Sequence, residues 1–248
     1  MNQTSGYPEE TMIQFYQLKR TWGIPNLCHF CCKTETYLRM AALPYEVNAT
    51  LPLMAPKGKL PYIVDGSARM GDSRFIVRYL KKTYGDHLDQ QLSTAQIGAG
   101  RAMQRLLEEH LYWVTMFTRW DWTRENWETN KTAIFSGMPV LIRDVAAYHT
   151  RRGIRKQLWG HGTRRHKPEE IFELGFEDID AVSNFLENKP YLLGETPTSF
   201  DATGYGFLVN TLACPIESPV KNYALTKKNL VDYVNRMQTR YYTDLVAA

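Results

Sequence analysis

Near the start of the chain, Cys28-His29-Phe30-Cys31 combine side chains and spacing that could do chemistry, and a third cysteine, Cys32, follows directly. Three readings fit. Cys28 and Cys31 are spaced as a nucleophilic and a resolving thiol, because a thiolate attacks disulfides and the amides at a helix start lower its pKa. The same spacing suits half of a zinc site, with His161 and His166 as a distant second pair. That pair lies far outside the spacing of a compact finger, so no metal is assigned. Finally, free cysteines are ordinary core residues. Cys31 shares a helical stripe with Leu27, Phe30, Tyr37 and Leu38, so core packing and redox chemistry both stay open for it. Cys32 lies off that stripe and receives no role. Cys214, before Pro215, reads as structural.

The chain that must position these thiols is long enough for one or two domains, at 248 residues. A net charge of +4 implies no general polyanion partner. The basic run from 151 to 167 reads as a solvated helix end or loop rather than a nucleic-acid surface, since it lacks interleaved aromatics. The opening MNQTSGYPEE is polar and resembles no export signal. No apolar run approaches the roughly 20 residues that cross a bilayer. The expectation is a soluble, cytoplasmic protein with neither nucleic-acid nor membrane partners. Three clustered cysteines plus one do not make a secreted disulfide framework.

The character of the chain changes near residue 86. Before it, residues 12–18 read as a strand, TWGIPN as a loop, and 27–43 as a helix with Asn26 as its N-cap and Pro44 as its stop. YEVNATL reads as a second strand, KGKLPYIVDG holds a third, and SARM reads as a fourth after a turn at Asp65-Gly66. SRFIVRYLKKTYG reads as a helix with Phe75, Ile76, Tyr79 and Leu80 as its apolar stripe. A βαβ unit followed by a hairpin and a helix is the arrangement of a thioredoxin-like domain. The remainder reads as helix. Met103, Leu106, Leu107, His110, Leu111 and Val114 make one stripe, and Trp113, Trp120 and Trp127 recur every seven residues. Residues 169–186 form another helix, Thr198 and Asp201 a capping box, and KKNLVDYVNRMQTRYY the last helix. The expected domains are 11–86 and 93–248.

Several motifs in this order, the Cys28 loop, KLPYI, GDSRFIVRYL and PYLLGETPTSFD, resemble the glutathione S-transferase superfamily. WGIPNLCHFCCKTETYLRM, APKGKLPYI, RLLEEHLYW and PTSFDAT look like its metaxin and failed-axon-connections branch, including soluble bacterial-type members. The resemblance implies a thioredoxin-like N-terminal domain followed by an all-helical C-terminal one, and a homodimer as the assembly. It implies glutathione as cosubstrate, with Leu60 pairing with its cysteine through the backbone and Pro61 in the cis form. Asp72 and Ser73 would hold its γ-glutamyl end; capping the following helix is the other use of that pair. Cys28 falls at the catalytic position, which favours thiol transfer or thiol–disulfide exchange on a small electrophilic or disulfide substrate. Glutaredoxin-like and omega-type sites usually carry proline after the first cysteine, where this chain has His29. That histidine either stabilises the thiolate as a cation or points to solvent. Tyr112, Trp113, Phe117 and Trp120 either line a pocket between the domains or form a helix seam. The resemblance also admits a non-catalytic, metaxin-type scaffold.

Overall fold

A computed structural model describes residues 12–246. The polar opening segment and the last two residues lie outside the described residues. Four strands form one sheet in the order β2-β1-β3-β4: β1 Ile13–Gln17, β2 Tyr45–Ala49, β3 Tyr62–Asp65 and β4 Ala68–Gly71. β1 and β2 run parallel, joined by α1 (His29–Met40), while β3 lies antiparallel to both β1 and β4. The pairing follows from loop length: a parallel pair needs a crossover helix, whereas the two residues Gly66-Ser67, one past the expected Asp65-Gly66, suffice for a hairpin. Helix α2, Ser73–Tyr84, closes this unit.

In α2 the buried positions are Ser73, Ile76 and Leu80, one helical face. Phe75, expected on that face, is exposed, with Lys57 and Arg78 stacked on its ring. It stands about 100° around the helix from Ile76, so both cannot face the sheet squarely.

The second domain opens with α3, Thr94–Arg105, started by a Ser93–Gln96 capping box. The helical backbone continues through a π-turn (Leu106–Leu111), α4 (Tyr112–Phe117) and a second π-turn (Thr118–Trp122). Each π-turn rotates the face that follows it. Trp113, Trp120 and Trp127 therefore do not share one straight stripe. Trp127 lies beyond the break at Thr123, on α5 (Arg124–Phe135), and its ring meets Trp120 at 5.4 Å.

Helices α6 (Val140–His161), α7 (Pro168–Leu186), α8 (Ser199–Leu212), α9 (Pro219–Leu225), α10 (Lys228–Tyr241) and α11 (Thr243–Val246) complete the chain. The basic run occupies the last turns of α6 and the turn after it. Buried Asp201 accepts the Thr198 amide at 2.8 Å, as the capping box requires, and also the Leu192 amide and the Tyr233 hydroxyl. One carboxylate thus ties the loop before α8 to α10.

Helix α1 is buried on almost every side, Lys33, Glu35 and Thr36 included. The sheet covers one face and α8 the other. Their approach is close because Gly206 has no side chain: a Cβ there would stand 2.7 Å from the Lys33 amide nitrogen and 3.1 Å from the His29 carbonyl. Both contacts are backbone, which cannot turn aside.

Candidate active site

Cys28 is the N-cap of α1, with extended backbone (φ −90°, ψ 115°). The helix begins at His29, two residues later than the expected start, and Asn26 is not its cap. The Asn26 amide nitrogen is committed to Gln17 and Leu18, while its Oδ1 accepts the Cys28 N–H at 3.0 Å. Asn26 therefore fixes the turn that presents Cys28.

The Cys28 thiol has a pKa lowered below the ordinary thiol value. The Cys31 hydrogen bond lowers its pKa most, burial opposes, and the amides and Arg119 add to the lowering. Cys31 moves the other way: burial, then its bond to Cys28, pushes its pKa well up. The pair is polarised, with a half-buried outer thiol that ionises first and a fully buried inner thiol that keeps its proton. Cys31 packs in the core and also interacts with Cys28. Cys32 is buried and pushed up by burial and by Glu35, which makes it inert.

Arg119, which no sequence pattern singled out, is 3% exposed. It donates to the Leu27 carbonyl at 2.6 Å and to the backbone and side-chain oxygens of Asn210 at 2.8 and 2.9 Å. Asn210 in turn donates to the Asn26 carbonyl at 3.0 Å. The loop carrying Cys28 is thereby held by the helical domain, and the same guanidinium supplies positive charge near the thiol.

His29 follows neither expectation. It is buried, its Nε2 lies 3.1 Å from the Thr115 hydroxyl, and its ring packs on Tyr112 and Phe207. Burial, with Arg119 adding to it, depresses its pKa well below 6.5, so it is neutral and cannot act as a cation on the thiolate. A stability prediction follows. In the unfolded chain this histidine gains a proton near its ordinary pKa of 6.5, while in the folded chain it does not. The unfolded state then binds more protons, and stability falls as pH drops below 6.5, by up to about 1.4 kcal/mol per pH unit from this group. Urea unfolding of wild type and His29→Asn over the acidic range should show a shallower decline in the variant. Parallel declines would exclude the effect.

Cys28 and Leu60 line one cavity of about 440 Å³ between the two domains, and the Leu60–Pro61 bond is cis. Such a volume lies within the roughly 300–1,000 Å³ of small-ligand sites. Tyr112, Trp113 and Trp120 are among its lining residues. Phe117 is not; it packs on Phe172 instead. Asp72 and Ser73 stand beside the cavity rather than in its wall. The ladder pairs Tyr62 with Gly71, so one step outward brings Asp72 alongside Pro61. Asp72 does cap α2, accepting the Arg74 N–H at 3.0 Å. It does so with φ at 83°, a conformation that costs a non-glycine residue about 1–3 kcal/mol. Ser73 is buried. Among the described residues no group of three or more His, Cys, Asp or Glu side chains could hold a metal ion. His161 stacks on Trp113. Nor is any helix among the described residues long and apolar enough to cross a membrane.

This geometry agrees with what known proteins show. The glutathione S-transferase N-terminal domain family matches residues 29–127, and the C-terminal domain family matches 175–237. The isoprene-epoxide–glutathione S-transferase of Rhodococcus sp. (strain AD45) is 37% identical over 93% of this chain and 99% of its own length. The chain belongs to the glutathione S-transferase family. Failed axon connections of Drosophila melanogaster is 31% identical over 95% of this chain, which spans 59% of that protein's length. Human metaxin-2 is 24% identical over 85% of this chain and 81% of its own, so metaxins are among the relatives, in keeping with the metaxin-type resemblance. Among solved structures, a glutathione transferase of Phanerochaete chrysosporium superposes with a TM-score of 0.66 over 93% of this chain and 98% of that one, at 16% identity. A transferase of Ceriporiopsis subvermispora in complex with glutathione gives the same score at 17% identity, over 92% and 97% of the two chains. These likenesses carry the fold: a four-stranded thioredoxin-like domain followed by a helical one.

Proposed function

We propose that this chain is a glutathione-dependent thiol transferase whose nucleophile is Cys28. The observation that supports this most is the polarised Cys28–Cys31 pair, whose Cys28 lies in the wall of the inter-domain cavity. In the proposed step the Cys28 thiolate attacks the glutathionyl sulfur of a mixed disulfide. A Cys28–glutathione disulfide forms, the old sulfur–sulfur bond breaks, and the substrate leaves as a thiolate that takes a proton from water. Reduced glutathione then attacks the glutathionyl sulfur, giving glutathione disulfide and free Cys28. Alternatively Cys31 attacks the Cys28 sulfur, giving an internal disulfide and glutathione, and two further glutathiones reduce it. The backbone of Leu60 would align the glutathione cysteine, and Asp72 with Ser73 would receive its γ-glutamyl end. This chemistry suits a reducing cytoplasm, where the four free cysteines stay reduced, and a homodimer of this chain is part of the same proposal.

A second reading, conjugation of glutathione to an apolar electrophile, is favoured by the mostly apolar cavity wall and by the name of the Rhodococcus relative. One experiment separates the two. Wild type is incubated with a glutathionylated disulfide, quenched with acid and digested. Thiol transfer predicts a glutathionyl group on the peptide that carries Cys28, and glutathione should raise the melting temperature by mass action. A protein that conjugates an epoxide with no trapped adduct would sink thiol transfer. A protein that glutathione does not stabilise, and that shows neither activity, would sink both readings and leave a scaffold.

A further inference from the structure

The α5–α6 wall of the cavity holds a polar side chain that the thiol chemistry does not use. Asn130, on α5, is 1% exposed and lines the cavity with Ile134, Ile154 and Gln157. Neither its Nδ2 nor its Oδ1 is hydrogen-bonded by any protein group among the described residues. Buried amides in native proteins almost always have partners, because leaving both ends unpaired forfeits the hydration they had in water. The other buried polar groups near the cavity are committed: Arg119 to Leu27 and Asn210, and His29 to Thr115. Asn130 stands apart in being both buried and uncommitted beside a ligand-sized space.

We infer that Asn130 recognises the second substrate through a neutral group that both donates and accepts a hydrogen bond, such as a hydroxyl or a carboxamide, carried on an apolar body. This rests on the proposal that glutathione and a second substrate meet in this cavity. The chemistry of the amide selects the class. Its nitrogen donates and its oxygen accepts, so a hydroxyl or carboxamide satisfies both. A carboxylate offers nothing to Oδ1, an ammonium nothing to Nδ2, and an alkyl end leaves both unpaired. Met116, Trp120, Ile134 and Ile154 supply apolar surface for the body of the substrate. Asn130 acts on specificity and takes no part in the bond-making step.

The test uses unreactive ligands, S-alkylglutathiones and S-(ω-hydroxyalkyl)glutathiones of several matched chain lengths, measured by calorimetry. Wild type should bind the hydroxyl compound more tightly than its alkyl match, by at least about tenfold at the best length, because an analogue lacking the polar group leaves the amide bare. Asn130→Leu should abolish that preference while still binding the alkyl series. The same variant should melt at a higher temperature than wild type without ligand, since it removes an uncommitted buried amide; an amide that held the fold together would give the opposite shift. Equal preference in wild type and Asn130→Leu would overturn the inference and mean that water alone serves the amide. Failure of every glutathione thioether to bind would overturn the glutathione reading and this inference with it. Preference for the hydroxyl series in a protein that transfers no thiol would overturn thiol transfer and keep Asn130.

Discussion

Cys28→Ser should lower kcat/KM for a glutathionylated disulfide by at least about a thousandfold, the scale expected when an activated nucleophile is removed. A serine hydroxyl stays protonated near neutrality and does not attack sulfur. The fold should not suffer. Cys28 is the N-cap of α1 and only half-buried, and serine is a preferred N-cap residue, so the melting temperature should hold or rise slightly. Loss of turnover at unchanged stability is the diagnostic combination. Cys31→Ala should behave differently. With reduced glutathione in excess it keeps a monothiol route, within about tenfold of wild type, because glutathione can release the adduct without Cys31. It does remove the hydrogen bond that lowers the Cys28 pKa most. The rate of Cys28 alkylation by iodoacetamide rises with pH as the thiolate forms, and its midpoint in wild type should lie below the ordinary thiol value. In Cys31→Ala the midpoint should move up. Identical midpoints would deny Cys31 its part in activating Cys28, and full turnover in Cys28→Ser would remove Cys28 from the reaction.

The parts of this site that were legible in the sequence are those whose causes are local. Strand and helix periods, the hairpin whose loop is Gly66-Ser67 and the Thr198–Asp201 box depend on neighbours a few residues away. The family motifs then located Cys28 and Leu60 on one cavity. Most of what escaped was set by the second domain. Lys33 and Glu35 point to opposite sides of α1 and read as solvated charges, yet both are buried: Lys33 pairs with Glu108 of the helical domain, while Glu35 is held within the first domain by Arg20 and Arg39. The fate of His29 was decided by Thr115, Tyr112 and Phe207, again from distant helices. Arg119 and Asn130 sit in helical stretches rich in polar residues, where nothing in the spacing distinguishes a buried side chain from a solvated one. The π-turn at Thr118–Trp122 begins between Phe117 and Trp120, and of the two only Trp120 lines the cavity.

The Lys33–Glu108 pair is where that second domain should show its largest effect on stability. Both side chains are 2% exposed, and the pair joins α1 to the first π-turn of the helical domain. Taking two charges from water costs more than their attraction returns unless each is otherwise bonded, and removing one partner of such a pair costs about 3–5 kcal/mol. The two single variants should not be equal. Lys33→Met leaves Glu108 with Gln104 at 2.8 Å and with Arg105 and Arg74 at 3.8 and 3.9 Å. Glu108→Leu leaves a buried ammonium, and should therefore fall at the upper end of the range. Burial already lowers the Lys33 pKa, with Glu108 opposing it. Without Glu108 the folded chain sheds this proton at lower pH than the unfolded chain, whose lysine titrates near 10.5. Between those two values the unfolded state binds more protons, so the deficit of Glu108→Leu should shrink as pH rises toward 10.5. The double variant Lys33→Met/Glu108→Leu removes both charges and should recover most of the loss, giving a coupling of about 2 kcal/mol or more in a urea-unfolding cycle. Additive losses would mean that the two side chains are not a pair in solution. Because Glu108 also lines the cavity that holds Cys28, the double variant is the protein in which to ask whether the charge itself matters for turnover, separately from the fold it supports.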